Sequence, residues 1–189
     1  MVNGINDVNS GMEYQNTSKV KKRQEPVETA KENTFSGKVM TCTSAGGKKT
    51  MLCQDALFSQ ASFVTGESVN VYKAEGFSEN NPVYLVKGVD SKGNEYEQTI
   101  NVNEVNPNSC TYLELSVLNV HAGNTKDSFM QMAMIHNRVN GGQESFFNKA
   151  NYNQAAADTL KEYKIMKAWD SYMKCSTWWQ GIMDYYLSR

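Results

Sequence analysis

From Ser68 onward the apolar and polar positions alternate with a period of two. Val69, Val71 and Lys73 fall on one side, and Asn70, Tyr72 and Ala74 on the other, which predicts a β-strand over 68–74. Upstream, Lys38–Thr43 and Thr50–Cys53 read as two further strands joined by the turn Ser44–Lys48. Its paired Gly46 and Gly47 supply the positive φ of a tight hairpin. Between Gln54 and Thr65 the pattern is ambiguous: Ala56, Leu57, Phe58, Ala61 and Phe63 fit either a continuing strand or a helical turn. Glu75–Asn81 reads as a loop, and Pro82, which cannot donate to a strand ladder, marks the edge of the next strand. Val83–Val86 is apolar on both faces, as expected of a central strand covered on both sides. Asp90-Ser91-Lys92-Gly93 has the chemistry of a type I turn closed by a left-handed glycine. Glu95–Val102 follows, with Tyr96, Gln98, Ile100 and Val102 on one face and Glu95, Glu97, Thr99 and Asn101 on the other, wet face. The sum is an antiparallel meander of about five strands between residues 36 and 103.

Past Asn106-Pro107-Asn108 the period changes. Thr111-x-x-Glu114 is a capping box, and the helix it opens carries Leu113, Val117, Leu118 and Val120 to the core and stops near Gly123. A second segment, Ser128–Val139, satisfies either period; helix is the expectation, capped by Thr125 or Asp127 and ended by Gly141-Gly142. Asn151-x-x-Gln154 opens what reads as the longest helix, with Tyr152, Ala156, Leu160, Tyr163, Met166 and Met173 as its apolar stripe. Ser176 or Thr177 then restarts the chain for a last helix holding Trp178, Trp179, Ile182, Met183, Tyr185, Tyr186 and Leu187. The fold class is therefore α+β: a small antiparallel meander followed by three or four helices packed on one face. A single domain is expected over 36–189, β-rich over 36–103 and helical over 104–189.

Composition adds a tail. Residues 1–35 are dominated by Asn, Ser, Lys, Glu and Gln without periodicity and read as disordered. The cluster Lys19–Arg23 is followed by Glu25, Glu28 and Glu32, so it reads as a solvated linker. With 19 basic and 20 acidic side chains, the net charge of −1 gives no long-range field toward nucleic acid, and nucleic-acid binding is not expected. No stretch approaches the ~20 apolar residues of a membrane-spanning helix, and the N-terminus lacks a Sec-type signal. Membrane insertion is not expected. Cytoplasmic residence is the default, with signal-peptide-independent export as the alternative.

Candidate chemistry is sparse. Cys42, Cys53, Cys110 and Cys175 are scattered without a C-x-x-C pair, and His121 and His136 are the two histidines, so no structural zinc site and no cofactor is expected. The cysteines read as reduced, mostly buried thiols. Cys110 precedes a helix start, where a thiol pKa can fall, but His121 lies at the far end of that helix, about 15 Å away. An enzyme would have to build its site on Cys110 or His136. Glu95 and Glu97 share a strand face and read as a solvated surface rather than a glycosidase pair. Gly46-Gly47-Lys48-Lys49-Thr50 lacks the spacing of a phosphate-binding loop. Asp170, set among aromatic residues, reads as meeting solvent or a tyrosine hydroxyl.

Two adjacent tryptophans and two adjacent tyrosines on one helix cannot all point the same way. The last helix either packs deeply over the sheet or presents part of the set Trp178, Trp179, Tyr185 and Tyr186 to a protein partner or a second copy. The runs GESVNVYKAEGFSENNPVYLVKG, NEYEQ and NPNSCTYLEL, with AWDSYM and WWQGIMDY near the C-terminus, resemble a family of uncharacterised bacterial proteins of the Gram-positive anaerobe type. That resemblance covers about residues 36–189 and implies a domain of unknown function, with no activity, cofactor or catalytic residues attached. The functional expectation is a non-catalytic interaction or structural module. The alternatives are an exported surface- or appendage-associated protein, or an enzyme with an unrecognised site.

Overall fold

A computed structural model describes residues 39–43, 49–124 and 128–189, all within one compact unit, Asn33–Arg189. The N-terminal tail, the Lys19–Arg23 cluster, the turn Ser44–Lys48 and the candidate caps Thr125 and Asp127 lie outside the described residues. The architecture is α+β. Strands β1 (Val39–Thr43) and β2 (Lys49–Cys53) form a two-stranded hairpin. Strands β3 (Phe58–Ala61), β4 (Ser68–Lys73), β5 (Val83–Val89) and β6 (Glu95–Asn101) form a separate antiparallel sheet in sequential order. Helices α1 (Tyr112–His121), α2 (Phe129–His136), α3 (Tyr152–Ile165) and α4 (Trp169–Ser188) follow.

The ambiguous stretch after Gln54 resolves as strand β3, because Phe58 pairs opposite Val71 and buries completely there. The meander forms a hairpin and a separate sheet, and the side chain of Asn70 joins the two. Its Oδ1 accepts from the Cys53 amide (2.8 Å) and from Ser59 Oγ (2.5 Å), and its Nδ2 donates to the carbonyls of Met51 (3.1 Å) and Lys87 (3.2 Å). All four polar bonds of one buried amide are satisfied, tying β2 across β4 and β5. The opposite face of the sheet carries Val69, Val71, Tyr84, Val86 and Ile100 into the main core. There it meets α1, which is buried nearly all round its circumference.

Gly88 is a point of close approach. A Cβ there would stand 1.9 Å from the Ser68 carbonyl oxygen and 2.8 Å from the Tyr96 ring. Tyr96, cross-strand from Gly88, lies over it and donates its hydroxyl to that same carbonyl at 2.8 Å. The predicted turn is present: the Asp90 carboxylate accepts from the amides of Lys92 and Asn94 and from Asn94 Nδ2, and Gly93 has φ +83°. These bonds hold the Asp90 carboxyl below the usual carboxylate range, the Asn94 side chain contributing most. Both halves of the Thr111–Glu114 capping box are formed, and Asn151 caps α3 through the Gln154 amide.

The C-terminal helices divide differently from the sequence expectation. Met166 and Met173 were expected on one helix, with a restart at Ser176 or Thr177. Instead α3 stops at Ile165, and α4 runs unbroken through Ser176 and Thr177 for 20 residues, making it the longest helix. The break is a Schellman-type stop. The Ala168 amide donates to Tyr163 O (2.9 Å) and the Lys167 amide to Lys164 O (3.2 Å), with Lys167 left-handed at φ +55°. Neither a glycine nor a proline announces this stop in the sequence.

Candidate functional site

The residues with the most reactive chemistry lie in the interior. Cys110 is fully buried, and its backbone pairs with Ala150 in an isolated bridge. Burial, with Glu114 adding to it, pushes its thiol up to about 12, so the helix start does not activate it. His136 is buried among Tyr112, Phe146 and Tyr152, with ring centroids 4.5, 5.2 and 6.2 Å from its own. Its Nδ1 shares a hydrogen bond with the Tyr152 hydroxyl at 3.0 Å. Desolvation lowers its pKa, opposed by the Glu144 backbone and by the carboxylates of Glu67 and Glu144. His121 packs edge-on against Tyr185 at 4.6 Å, shares a hydrogen bond with the Tyr84 hydroxyl (3.1 Å), and is likewise lowered by desolvation.

Glu67 is a buried carboxylate that no sequence motif marked. Only 1% exposed, it accepts from Ser145 Oγ (2.6 Å), the Phe146 amide (2.8 Å) and Thr65 Oγ1 (2.9 Å). Three donors replace the water that its carboxylate gives up. They also pin the loop before α3 to the start of β4. Beside it, Tyr112 donates to Gln60 Oε1 at 2.6 Å. This arrangement holds elements together and presents no reacting atom to solvent.

The C-terminal aromatic residues also face inward. Trp178 and Trp179 are each 7% exposed. Trp178 Nε1 donates to Asn119 Oδ1 at 2.7 Å, and Asn119 Nδ2 donates in turn to Ser128 Oγ at 2.8 Å, linking α4, α1 and the start of α2. Tyr185 and Tyr186 are half-buried, their hydroxyls 3.4 and 3.3 Å from Asn103 Oδ1 and Asn106 Oδ1. Arg189 lies over the Tyr186 ring and donates to the carbonyls of Val102 and Val105. The two indoles thus belong to the core and offer almost no surface to a partner. Glu95 and Glu97 are exposed, Glu97 pairing with Lys87, and Asp170 pairs with Lys174 in solvent.

Of the large apolar side chains that reach solvent, which include Phe63, Val64, Met130 and Leu187 elsewhere in the fold, four lie at or just after the turn between α3 and α4. Ile165 is 72% exposed, Met166 61%, Trp169 57% and Met173 60%. Lys161, Lys164 and Lys167 ring this tip, all exposed, and none makes an ion pair among the described residues. Lys164 Nζ stands 4.9 Å from the Tyr172 ring centroid, and Tyr172 meets Trp169 edge-on. The tip's acidic groups are otherwise engaged: Glu162 pairs with Arg138, and Asp170 with Lys174. Beside the tip, a cleft of about 590 Å³ runs between α2 and α4, bordered by Met130, Gln131, Met134, Asp170 and Lys174. Trp169 and Met173 are spaced i, i+4, which was a legible signal of a shared helix face. The three- and four-residue spacing that also fits Met173 to the stripe of Tyr163 and Met166 masks it.

Among the described residues, no group of three or more His, Cys, Asp or Glu side chains is placed to hold a metal ion, and no helix is long and apolar enough to cross a membrane. No protein-family model matches the chain, and neither a curated protein nor a solved structure matches it.

Proposed function

We propose that the chain is a non-catalytic interaction module that docks through the tip of its α3–α4 hairpin. The observation that carries this reading is the exposure of Ile165, Met166, Trp169 and Met173 at and just after the α3–α4 turn. Four large apolar side chains exposed close together in sequence on a pair of packed helices offer apolar surface whose burial against a partner is favourable. The interior supports the same reading. Cys110 is a poor nucleophile, His136 is enclosed by aromatic rings, and Glu67 is occupied by three donors from its own chain.

The test places a photo-cross-linking amino acid at position 169 in cells, with position 95 on the exposed face of β6 as the control. Adducts from 169 and none from 95 support docking through the tip. No adduct from 169, or equal labelling from both positions, overturns it.

A further inference from the structure

We propose that the α3–α4 tip docks on an anionic lipid surface, resting in the headgroup layer without spanning it; this builds on the interaction-module reading above. Three observations favour lipid. First, the apolar set surrounds a turn, with Ile165 and Met166 closing α3, Trp169 opening α4, and Met173 one turn further on at the edge of a cleft. An indole among aliphatic side chains, ringed by long cationic ones, is the composition that partitions to a membrane–water interface. Second, Lys161, Lys164 and Lys167 are exposed without carboxylate partners, so they suit phosphate and carboxylate headgroups. A second copy of the same tip would bring like charges together. Third, α4 runs 20 residues, about 30 Å, from Trp169 back to its anchorage at Asn103 and Asn106, which keeps Glu104 away from the surface that the tip would meet. Over residues 161–174 four lysines stand against Glu162 and Asp170, so the near-neutral charge of the whole chain conceals a local excess of positive charge.

The experiment uses the full chain and vesicles of phosphatidylserine with phosphatidylcholine, compared with phosphatidylcholine alone. Trp169 is the exposed indole, whereas Trp178 and Trp179 are buried, so the fluorescence response reports on the tip. The expected result is a blue shift on the anionic vesicles, quenching by acyl-brominated lipid, and at least about tenfold weaker binding to neutral vesicles. Trp169→Ala and the triple variant Lys161→Gln, Lys164→Gln, Lys167→Gln each lower affinity about tenfold or more, with unchanged near-ultraviolet circular dichroism from the buried indoles. Equal binding to neutral vesicles, unchanged affinity in either variant, or no vesicle binding overturns the lipid assignment. Trp169-dependent dimerisation, or binding to poly-glutamate but not to vesicles, also overturns it and gives the tip to a protein surface. In those two cases cross-linking from position 169 persists and the module reading survives; loss of that cross-linking as well removes both.

Discussion

The two ends of helix α4 are built from similar residues and meet opposite fates. Its first half carries Trp169 and Met173 in solvent, whereas its second half carries Trp178, Trp179 and Ile182 in the core. The difference lies in what stands opposite. Trp178 finds the Asn119 side chain on a helix that is itself buried all round, so its N–H is satisfied while its ring leaves water. Trp169 finds Tyr172 of its own helix and the solvent-exposed Lys164–Lys167 turn. An aromatic cluster in a sequence therefore indicates apolar surface, and only its neighbours determine whether that surface becomes core or contact.

The largest break in that comparison comes from Trp178→Ala. It removes a buried ring and leaves Asn119 Oδ1 without its donor, so about 4 kcal/mol of stability is expected to go, read as the urea midpoint. A loss under about 1 kcal/mol would mean that the C-terminal half of α4 is not core.

Next comes pH, which near neutrality acts through groups that folding takes out of water. His121 and His136 have folded pKa values below their unfolded ones, so the unfolded chain binds protons first as pH falls. Their contribution is complete above the unfolded histidine value of about 6.5 and is lost below it. Cys175 on α4 is raised to about 11, and Cys110 to about 12, both chiefly by burial. The unfolded thiols thus ionise first, and stability declines again above about 8.5. Urea midpoints across pH should show a plateau between these limits, with a shallower acid limb in His136→Gln. A midpoint that stays flat down to about pH 5.5 would contradict the burial of His136 and the partial burial of His121.

A smaller effect sharpens the boundary between the halves. Lys167 holds a left-handed conformation at the end of α3, and Lys167→Gly should raise stability by about 0.5–1 kcal/mol. Destabilisation instead would show that the stop is not left-handed. The smallest effect is expected from Trp169→Ala, within about 0.5 kcal/mol, because its ring leaves little core behind. A loss near that of Trp178→Ala would erase the contrast and place Trp169 in the interior.

Much of the fold was legible locally. The alternation of Tyr96, Gln98 and Ile100, the Asp90–Gly93 turn, and the caps at Thr111 and Asn151 each act through neighbours a few residues away, and each appears as expected. The helix stop at Lys167 was not legible, because the signal normally read there is a glycine. Glu67 was missed for a different reason. A glutamate beside a strand reads as surface, and its partners Ser145 and Phe146 lie 78 and 79 positions away. The candidate site was half visible. The aromatic and methionine content pointed to the C-terminal helices, but Trp178, Trp179, Tyr185 and Tyr186 were chosen over Ile165, Met166 and Trp169.

By itself the sequence determined the α+β class, the strands β4 to β6 with the turn between the last two, and the starts of α1 and α3, because period, turn chemistry and capping are short-range properties of the chain. The tertiary structure decided the rest. It tied the β1–β2 hairpin to the sheet through Asn70, enclosed Cys110 and His136 in the interior, and put a carboxylate at position 67 where donors from a distant loop meet it. It also sorted the aromatic residues of α4 into buried and exposed. The physical reason is common to all four outcomes: the cost of taking a group out of water depends on partners that are brought near only by folding.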